Sequence, residues 1–320
     1  MTKFLKLNRT GDKIPLVGFG TARITPEDTA DIIYTAIKSG YRLIDAALSY
    51  GNEAQVGEGI KKAIDDGIVK REELFVISKL WNHFHSKDNV KSAFDVTLEN
   101  FGLDYIDLYL IHFPFATEFV DPRSTKLTFF NDENKFALKR IPIHETWKAM
   151  ENLVDLGLVR NIGLSNFNVQ SILDLLTYAR ITPAILEIEF HPYLLQERLI
   201  TWVKSQGIEV IAYASFGNTV FEEVPPTTAH LPNLLTHPTV TKIAQKHGRN
   251  NGQVLLTFAT QQNIVVIPKS IQESRMKSNL DLFSYKLDAD DIKELKALNA
   301  NARFNDFFPN TYGFDLPIFE

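Results

Sequence analysis

Residues 41–67 read YRLIDAALSYGNEAQVGEGIKKAIDDG. The opening YRLIDAA is a short apolar run that fits a buried strand. From Asn52 onward, Val56, Ile60 and Ile64 recur every four positions, the spacing of an amphipathic helix. One strand followed by one helix is a βα unit, and the same alternation runs along the whole chain. LVGFG (16–20) precedes a helical stretch at 26–40, LFVISKLW (74–81) one at 87–101, and YIDLYLIHF (105–113) one at 144–157. LVRNIGLSN (158–166) precedes one at 169–180, AILEIEF (184–190) one at 196–207, IEVIAYA (208–214) one near 238–247, and NIVVIPKS (263–270) one near 272–282. Consecutive βα units demand parallel strands joined by right-handed crossovers. Eight of them predict an α/β fold, a (β/α)8 TIM barrel forming a single domain over residues 1–320.

Two stretches break the repeat. Residues 114–143 follow the fourth strand, and the Pro/Thr-rich residues 217–235 follow the seventh. Loops this long in a compact domain are expected to serve function. An extra helix at 288–300 and an aromatic tail at 303–319 complete the chain.

Composition narrows the function. The 320 residues carry a net charge of −5 with no basic block, which argues against nucleic acid as a partner. There is no cysteine, so disulfide, zinc–thiolate and thiol-nucleophile chemistry are excluded. No apolar run reaches the length of a membrane span, and the first residues lack the apolar core of a signal peptide. The expectation is a cytoplasmic protein with no membrane partner. GFGTAR (18–23) lacks the third glycine of a dinucleotide fingerprint, and GLSNF (163–167) is one residue short of a nucleophile elbow. His83 and His85 have no evident third ligand, so no metal site is expected and the pair reads as a solvated loop.

A (β/α)8 barrel gathers its chemistry where the strands end. Asp45 ends the second strand, with Tyr50 in the loop beyond; Lys79 lies near the end of the third and His112 near the end of the fourth. Ser165 and Asn166 end the fifth, Glu187 and Glu189 share one face of the sixth, Tyr213 ends the seventh, and Lys269 and Ser270 end the eighth. Singly, each has an ordinary reading as a snorkelling lysine, a core histidine or a helix cap. Together they fall on one rim. A buried lysine needs a partner, which Asp45 supplies. A cationic lysine beside Tyr50 is expected to lower the phenol from its usual value near 10, making it a usable proton donor. A neutral His112 can orient a carbonyl. The set suits giving a proton to a carbonyl oxygen, with hydride drawn from a cofactor.

The stretches LVGFGT, LIDAALSYGNE, ISKLW, LIHFP, IGLSNF, EFHPY, VIAYASFG, VIPKS and RFND, in this order, resemble the aldo-keto reductases over essentially the whole chain. The long insertion and RFND are most similar to the fungal aldose (xylose) reductase branch. The resemblance implies an N-terminal β-hairpin closing the barrel bottom and an NADPH/NADP+ lying across the rim. It implies a catalytic tetrad of Asp45, Tyr50, Lys79 and His112, with Tyr50 as general acid in reducing an aldehyde or ketone to the alcohol. It also implies cofactor contacts from Thr21, Ser165, Asn166, Glu187, Tyr213, Ser215, Phe216, Gly217 and Asn218. Lys269, Ser270 and Arg275 would hold the adenosine 2′-phosphate, with Asn279 near the adenine. The positions that would line the substrate pocket are Ala22, Ser49, Trp81, Phe113 and Asn305.

Several positions depart from the family pattern. Glu187 stands where glutamine is usual, and an ionised carboxylate there would favour the oxidised cofactor. Ala214 replaces a frequent serine. Ala22 replaces a frequent tryptophan over the pocket, leaving room that Phe307, Phe308 or the insertion would fill. Ser49 and the Phe-Phe after RFND also differ from the pentose reductases, so a bulkier or more apolar carbonyl is expected at least as much as xylose. Glu223 could hold ribose hydroxyls and admit NADH as well. Two other readings stay open: an NAD(P)+-dependent sugar or polyol dehydrogenase working oxidatively, and a cofactor-binding regulatory subunit with little activity. The fungal resemblance, whose members are often dimers, leaves a monomer or a homodimer as the expectation.

Overall fold

The structure is a computed structural model that describes residues 3–124, 127–220, 225–306 and 316–319. The chain opens with β1 (Phe4–Lys6) and β2 (Lys13–Pro15), paired antiparallel, then lays down β3 (Phe19–Gly20), β4 (Leu43–Asp45), β5 (Phe75–Leu80) and β6 (Ile106–Ile111). The insertion holds a small antiparallel ribbon of β7 (Ala116–Thr117) and β8 (Leu138–Lys139). The strands β9 (Val159–Ser165), β10 (Ile185–Glu189), β11 (Glu209–Tyr213) and β12 (Val265–Val266) follow. The main sheet has eight parallel strands in the order β12-β11-β10-β9-β6-β5-β4-β3. A parallel bridge between Val17 and Val266 joins its two ends, with Gly18 N donating to Val266 O and Val266 N to Leu16 O. The sheet is therefore a closed barrel. At this seam, a Cβ on Gly20 would lie 2.6 Å from the Ile267 carbonyl oxygen, so only glycine lets the first and last strands approach.

Side chains alternate along each strand, and the alternation separates two cores. Leu43, Phe75, Ile77, Leu108, Leu110, Ile185, Ile211 and Val265 fill the barrel interior, and Leu7 and Ile14 of the β1–β2 hairpin join them as a plug. Ile44, Val76, Leu80, Tyr109, Ile111, Leu164 and Val210 face the surrounding helices. Continuing the interior parity toward the strand ends reaches Asp45, Lys79, His112 and Glu187. The interior is apolar up to that level and ionisable above it.

The helices are α1 (Pro26–Ser39), α2 (Glu53–Asp65), α3 (Lys87–Phe101), α4 (Ile143–Asp155), α5 (Val169–Leu176), α6 (Glu197–Ser205), α7 (Pro238–His247), α8 (Asn251–Thr260), α9 (Glu273–Leu280) and α10 (Ala289–Lys296). The sequence reading anticipates nine of these and misses α8. Its NGQVLLTFAT is buried on nearly every side, so no 3.6-residue polar face announces it. No helix among the described residues is long and apolar enough to cross a membrane. Phe307, Phe308 and Glu223 lie outside the described residues.

Candidate active site

Lys79 is fully buried at the end of β5, and its ammonium is the hub of the site. Nζ donates to Asp45 Oδ1 and Oδ2, each at 2.8 Å, to Ala46 O at 3.1 Å and to the Tyr50 hydroxyl at 3.5 Å. Glu187 Oε1 lies 3.4 Å away on its other side. Burial opposes the charge, but Asp45, Glu187 and Tyr50 together hold the ammonium above its ordinary range. Burial pushes the Asp45 carboxyl up, and Lys79 pulls it back.

Tyr50 is half-buried at the end of a short 3-10 turn, Leu48–Tyr50, which carries the chain away from β4. Its ring centroid is 5.3 Å from Lys79 Nζ and 5.8 Å from the His112 ring, edge to face. Burial raises the phenol above its ordinary value; Lys79 lowers it and Asp45 raises it further. The expectation of a lowered Tyr50 is thus corrected: Lys79 acts in the expected sense, and desolvation outweighs it. The phenol therefore holds its proton at neutral pH, the state a proton donor needs. His112, 8 % exposed, is held well below the ordinary histidine range by burial and then by Lys79, so it is neutral.

Glu187 is 2 % exposed, and burial, then Asp45, push its carboxyl up to about 8 against the pull of Lys79. At neutral pH it is mainly the acid, so the ionised carboxylate that would favour the oxidised cofactor is the minor form. A protonated carboxyl has one acceptor and one donor oxygen, close in shape and hydrogen bonding to the glutamine usual at this position. Its Oε2 is buried with no hydrogen-bond partner in the protein.

Beside this set runs a polar shelf. Asn166, in the left-handed region at φ 62°, donates from Nδ2 to His112 O at 3.0 Å and to Ser165 Oγ at 3.1 Å. Its Oδ1 accepts from the Tyr213 hydroxyl at 2.6 Å, which in turn accepts from Asn305 Nδ2 at 2.8 Å. Asn305 is fixed from below by Glu189, whose buried carboxylate accepts from the backbone N–H groups of Phe304 at 2.8 Å and Asn305 at 2.9 Å and lies 2.8 Å from His191 Nε2. Sequence reasoning noticed Glu189 but gave it no role; a second carboxylate in a strand as apolar as AILEIEF was the available signal.

The remaining positions divide. Thr21 is fully buried, and its hydroxyl donates to Asp45 O at 2.9 Å, so it braces the strand that carries Asp45. Ser215 is buried, Phe216 is half-buried, and Gly217 takes a positive φ of 63°. Asn218 Nδ2 donates to Leu231 O and Pro232 O, pinning the loop that follows. Ala214, in place of the frequent serine, also takes a left-handed φ, 52°. Ser270 is buried with its Oγ accepting from Gln272 N, while Lys269 and Arg275 are exposed at the entry to α9. Asn279 is buried near Tyr41, whose hydroxyl donates to Met276 O at 3.1 Å. Ala22 and Ser49 are half-buried. Trp81 and Phe113 are 5.9 Å apart, edge to face.

The insertion completes the apolar wall. Trp81 Nε1 donates to Thr128 O, and His83 Nε2 lies 2.8 Å from the same oxygen. That anchor sets Phe129 4.7 Å from Trp81 and 5.5 Å from Phe113, with Phe115 stacked on Phe129 at 5.8 Å. His83 and His85 are buried, which corrects the solvated-loop reading: His83 ties the insertion to the barrel. Among the described residues no group of three or more metal-ligating side chains is assembled.

Known proteins resemble this chain over nearly its whole length. Residues 16–300 match the family described as Aldo/keto reductase. The chain is 52 % identical over 321 residues to a 4-dihydromethyl-trisporate dehydrogenase of Mucor mucedo, covering all of this chain and 99 % of that protein. It is 51 % identical to a probable NAD(P)H-dependent D-xylose reductase of Aspergillus fumigatus, covering 95 % and 97 %. Among solved structures, a Bombyx mori aldo-keto reductase in complex with NADP superposes with a TM-score of 0.85 at 38 % identity, covering 95 % of each chain. The aldose reductase from Schistosoma japonicum gives 0.84 at 36 % identity, covering 94 % and 93 %.

Proposed function

The chain belongs to the aldo/keto reductase family, and from that membership we propose that it reduces a bulky, largely apolar aldehyde or ketone to its alcohol with NADPH. It is an oxidoreductase, and carbonyl reduction is its reaction. The observation that carries the substrate class is the wall of Trp81, Phe113, Phe115 and Phe129 beside a single proton-donating set. Such a wall offers apolar area and few hydrogen bonds, which suits a hydrophobic body better than a polyhydroxylated chain. Ala22 leaves the pocket wider than an indole would.

The chemistry follows from the residues. A reduced nicotinamide, when bound, would supply the hydride. Tyr50 gives its proton to the carbonyl oxygen while His112, neutral, donates to the same oxygen and orients it. Lys79 stabilises the phenolate left behind, and Asp45 keeps Lys79 charged and in place. Ser165, Asn166 and Glu187 present buried polar atoms suited to a carboxamide, and Tyr213 offers a ring face beside them. Lys269, Ser270 and Arg275 would bind the 2′-phosphate, where charge-assisted bonds favour NADPH over NADH. The catalytic set lies within one chain, so a monomer and a homodimer serve the reaction equally. We place the enzyme in the cytoplasm, where reduced nicotinamide cofactor is available.

The test is NADPH oxidation with an aromatic aldehyde, a long-chain unsaturated aldehyde, glyceraldehyde and xylose. The expected kcat/KM for the two apolar compounds exceeds that for xylose by about tenfold or more, the equivalent of about 1.4 kcal/mol of extra binding. Equal or better turnover of xylose would overturn the substrate class. Phe129→Ala checks the wall directly. It is expected to cost about tenfold in kcat/KM for the apolar aldehydes, mostly through KM, and to leave glyceraldehyde within about twofold.

A further inference from the structure

We propose that Glu187 carries a proton in the working enzyme and that its ionisation, felt through Lys79, sets the alkaline limit of carbonyl reduction. The inference rests on the reading of Tyr50 as proton donor and adds a second exchangeable proton to the site.

The geometry is one buried cation between two buried carboxyl groups. Lys79 Nζ is 2.8 Å from both oxygens of Asp45 and 3.4 Å from Glu187 Oε1, and the Asp45 and Glu187 carboxyls also lie within reach of each other. Their side chains are 3 % exposed and that of Lys79 is 0 %. Two carboxylates on one ammonium would bury a net negative charge, so one of the two acids keeps its proton. Asp45 takes both short bonds from Lys79 and is the ionised member. Glu187 has one longer approach and an oxygen without any protein partner, and is the protonated one.

The other groups around the pair do not supply a competing charge. From β4 and its loop come Asp45 and Tyr50, from β5 Lys79, from the end of β6 the neutral His112, and from β9 Ser165 and Asn166. From β11 comes Tyr213, whose phenol burial holds un-ionised, and further along β10 Glu189 faces the Arg303 guanidinium at 3.9 Å and accepts from the Phe304 and Asn305 N–H groups. Glu187 therefore titrates against Asp45 and Lys79. The position of its carboxyl, pushed up to about 8, puts the event within the range of an ordinary activity profile.

The sign follows from charge. Below that pH the Asp45–Lys79–Glu187 cluster is neutral. Above it the cluster carries one negative charge beside Tyr50. A nearby anion raises a phenol and opposes formation of the phenolate, so proton donation weakens and reduction slows. Glutamine at 187 keeps the hydrogen-bonding shape and removes the titration.

The experiment compares pH profiles of kcat for wild type and Glu187→Gln, with Glu187→Asp alongside. Wild type is expected to lose rate above about pH 8, while Glu187→Gln holds its rate for about one further pH unit and Glu187→Asp keeps an alkaline limb. Coincident wild-type and Glu187→Gln profiles would overturn the proposal. A second readout needs neither turnover nor a Glu187 variant. In a Glu53→Gln background, infrared spectra recorded across pH should show a carboxylic-acid carbonyl band that disappears as the pH passes about 8. Glu53 is replaced because its buried carboxyl is also pushed up, to about 7, and its band would overlap in the same pH range. Absence of that band would also overturn the proposal. The two readings fail separately: an enzyme that shows the band and no carbonyl reduction refutes the Tyr50 assignment and not the proton on Glu187.

Discussion

Tyr50→Phe is expected to lower kcat for carbonyl reduction by about 10²–10⁴-fold, the usual span for loss of a positioned general acid. That is about 3–5 kcal/mol of transition-state stabilisation. The hydroxyl is un-ionised, in reach of a cation able to stabilise its conjugate base, and, unlike the buried Glu187, half-exposed. Removing it leaves Lys79 with its bonds to Asp45 and the Ala46 carbonyl, so the fold and the barrel rim survive. Affinity for NADPH, followed by quenching of tryptophan fluorescence, is expected to stay within about twofold, because the loss belongs to the transition state. Retention of more than about a tenth of the wild-type kcat would remove Tyr50 from the role of acid.

Lys79→Met is expected to be the more damaging change, because it strikes both chemistry and folding. Without the ammonium the phenolate has no counter-charge, so kcat falls at least as far as in Tyr50→Phe. The fold suffers too, since Asp45 and Glu187 are left buried without a cation, and breaking a buried ion pair from one side costs about 3–5 kcal/mol. The sign of the pH dependence is fixed by linkage. Both carboxyls then have folded-state values raised above their unfolded values near 4, so they are tolerated while protonated and become costly as pH rises. The deficit relative to wild type should be small near pH 4 and grow toward pH 8, in urea midpoints taken across that range. A deficit independent of pH would show that methionine disturbs packing instead of stranding two acids.

How much of this was legible in the sequence varies with what each residue depends on. The barrel was legible because short apolar runs and period-four patterns are local, and YRLIDAALSYGNEAQVGEGI shows both in one reading. Asp45, Tyr50, Lys79 and His112 were legible because a topological rule brings strand ends to one rim, and the structure brings them together there. Helix α8 was not, because a helix buried all round has no polar face to give its period away. The direction of the Tyr50 and Glu187 shifts was not either. A sequence identifies neighbours of opposite charge, whereas desolvation depends on how completely other side chains close over the site. Phe129 and Glu189 were missed as partners for a related reason. One reaches the site through a carbonyl at Thr128 shared by Trp81 and His83, the other through backbone N–H groups at 304 and 305. Main-chain partners leave no side-chain pattern to read.

The bridge between Val17 and Val266 has a consequence for how the protein is made. A chain leaving the ribosome can pair β3 with β4 and extend the sheet strand by strand, but the free edge of β3 has no mate until Val266 has been synthesised. For most of translation the nascent sheet is open, with one edge waiting and another advancing, and such edges invite pairing with neighbouring chains. The two strands that meet at the seam are also the shortest of the eight, at two residues each, which keeps the exposed ladder small while it waits. A transcript truncated before the codon for Val265 would yield a sheet that cannot shut. Its product is expected to enter inclusion bodies or be degraded, even though every member of the Asp45–Tyr50–Lys79–His112 set is already present in it.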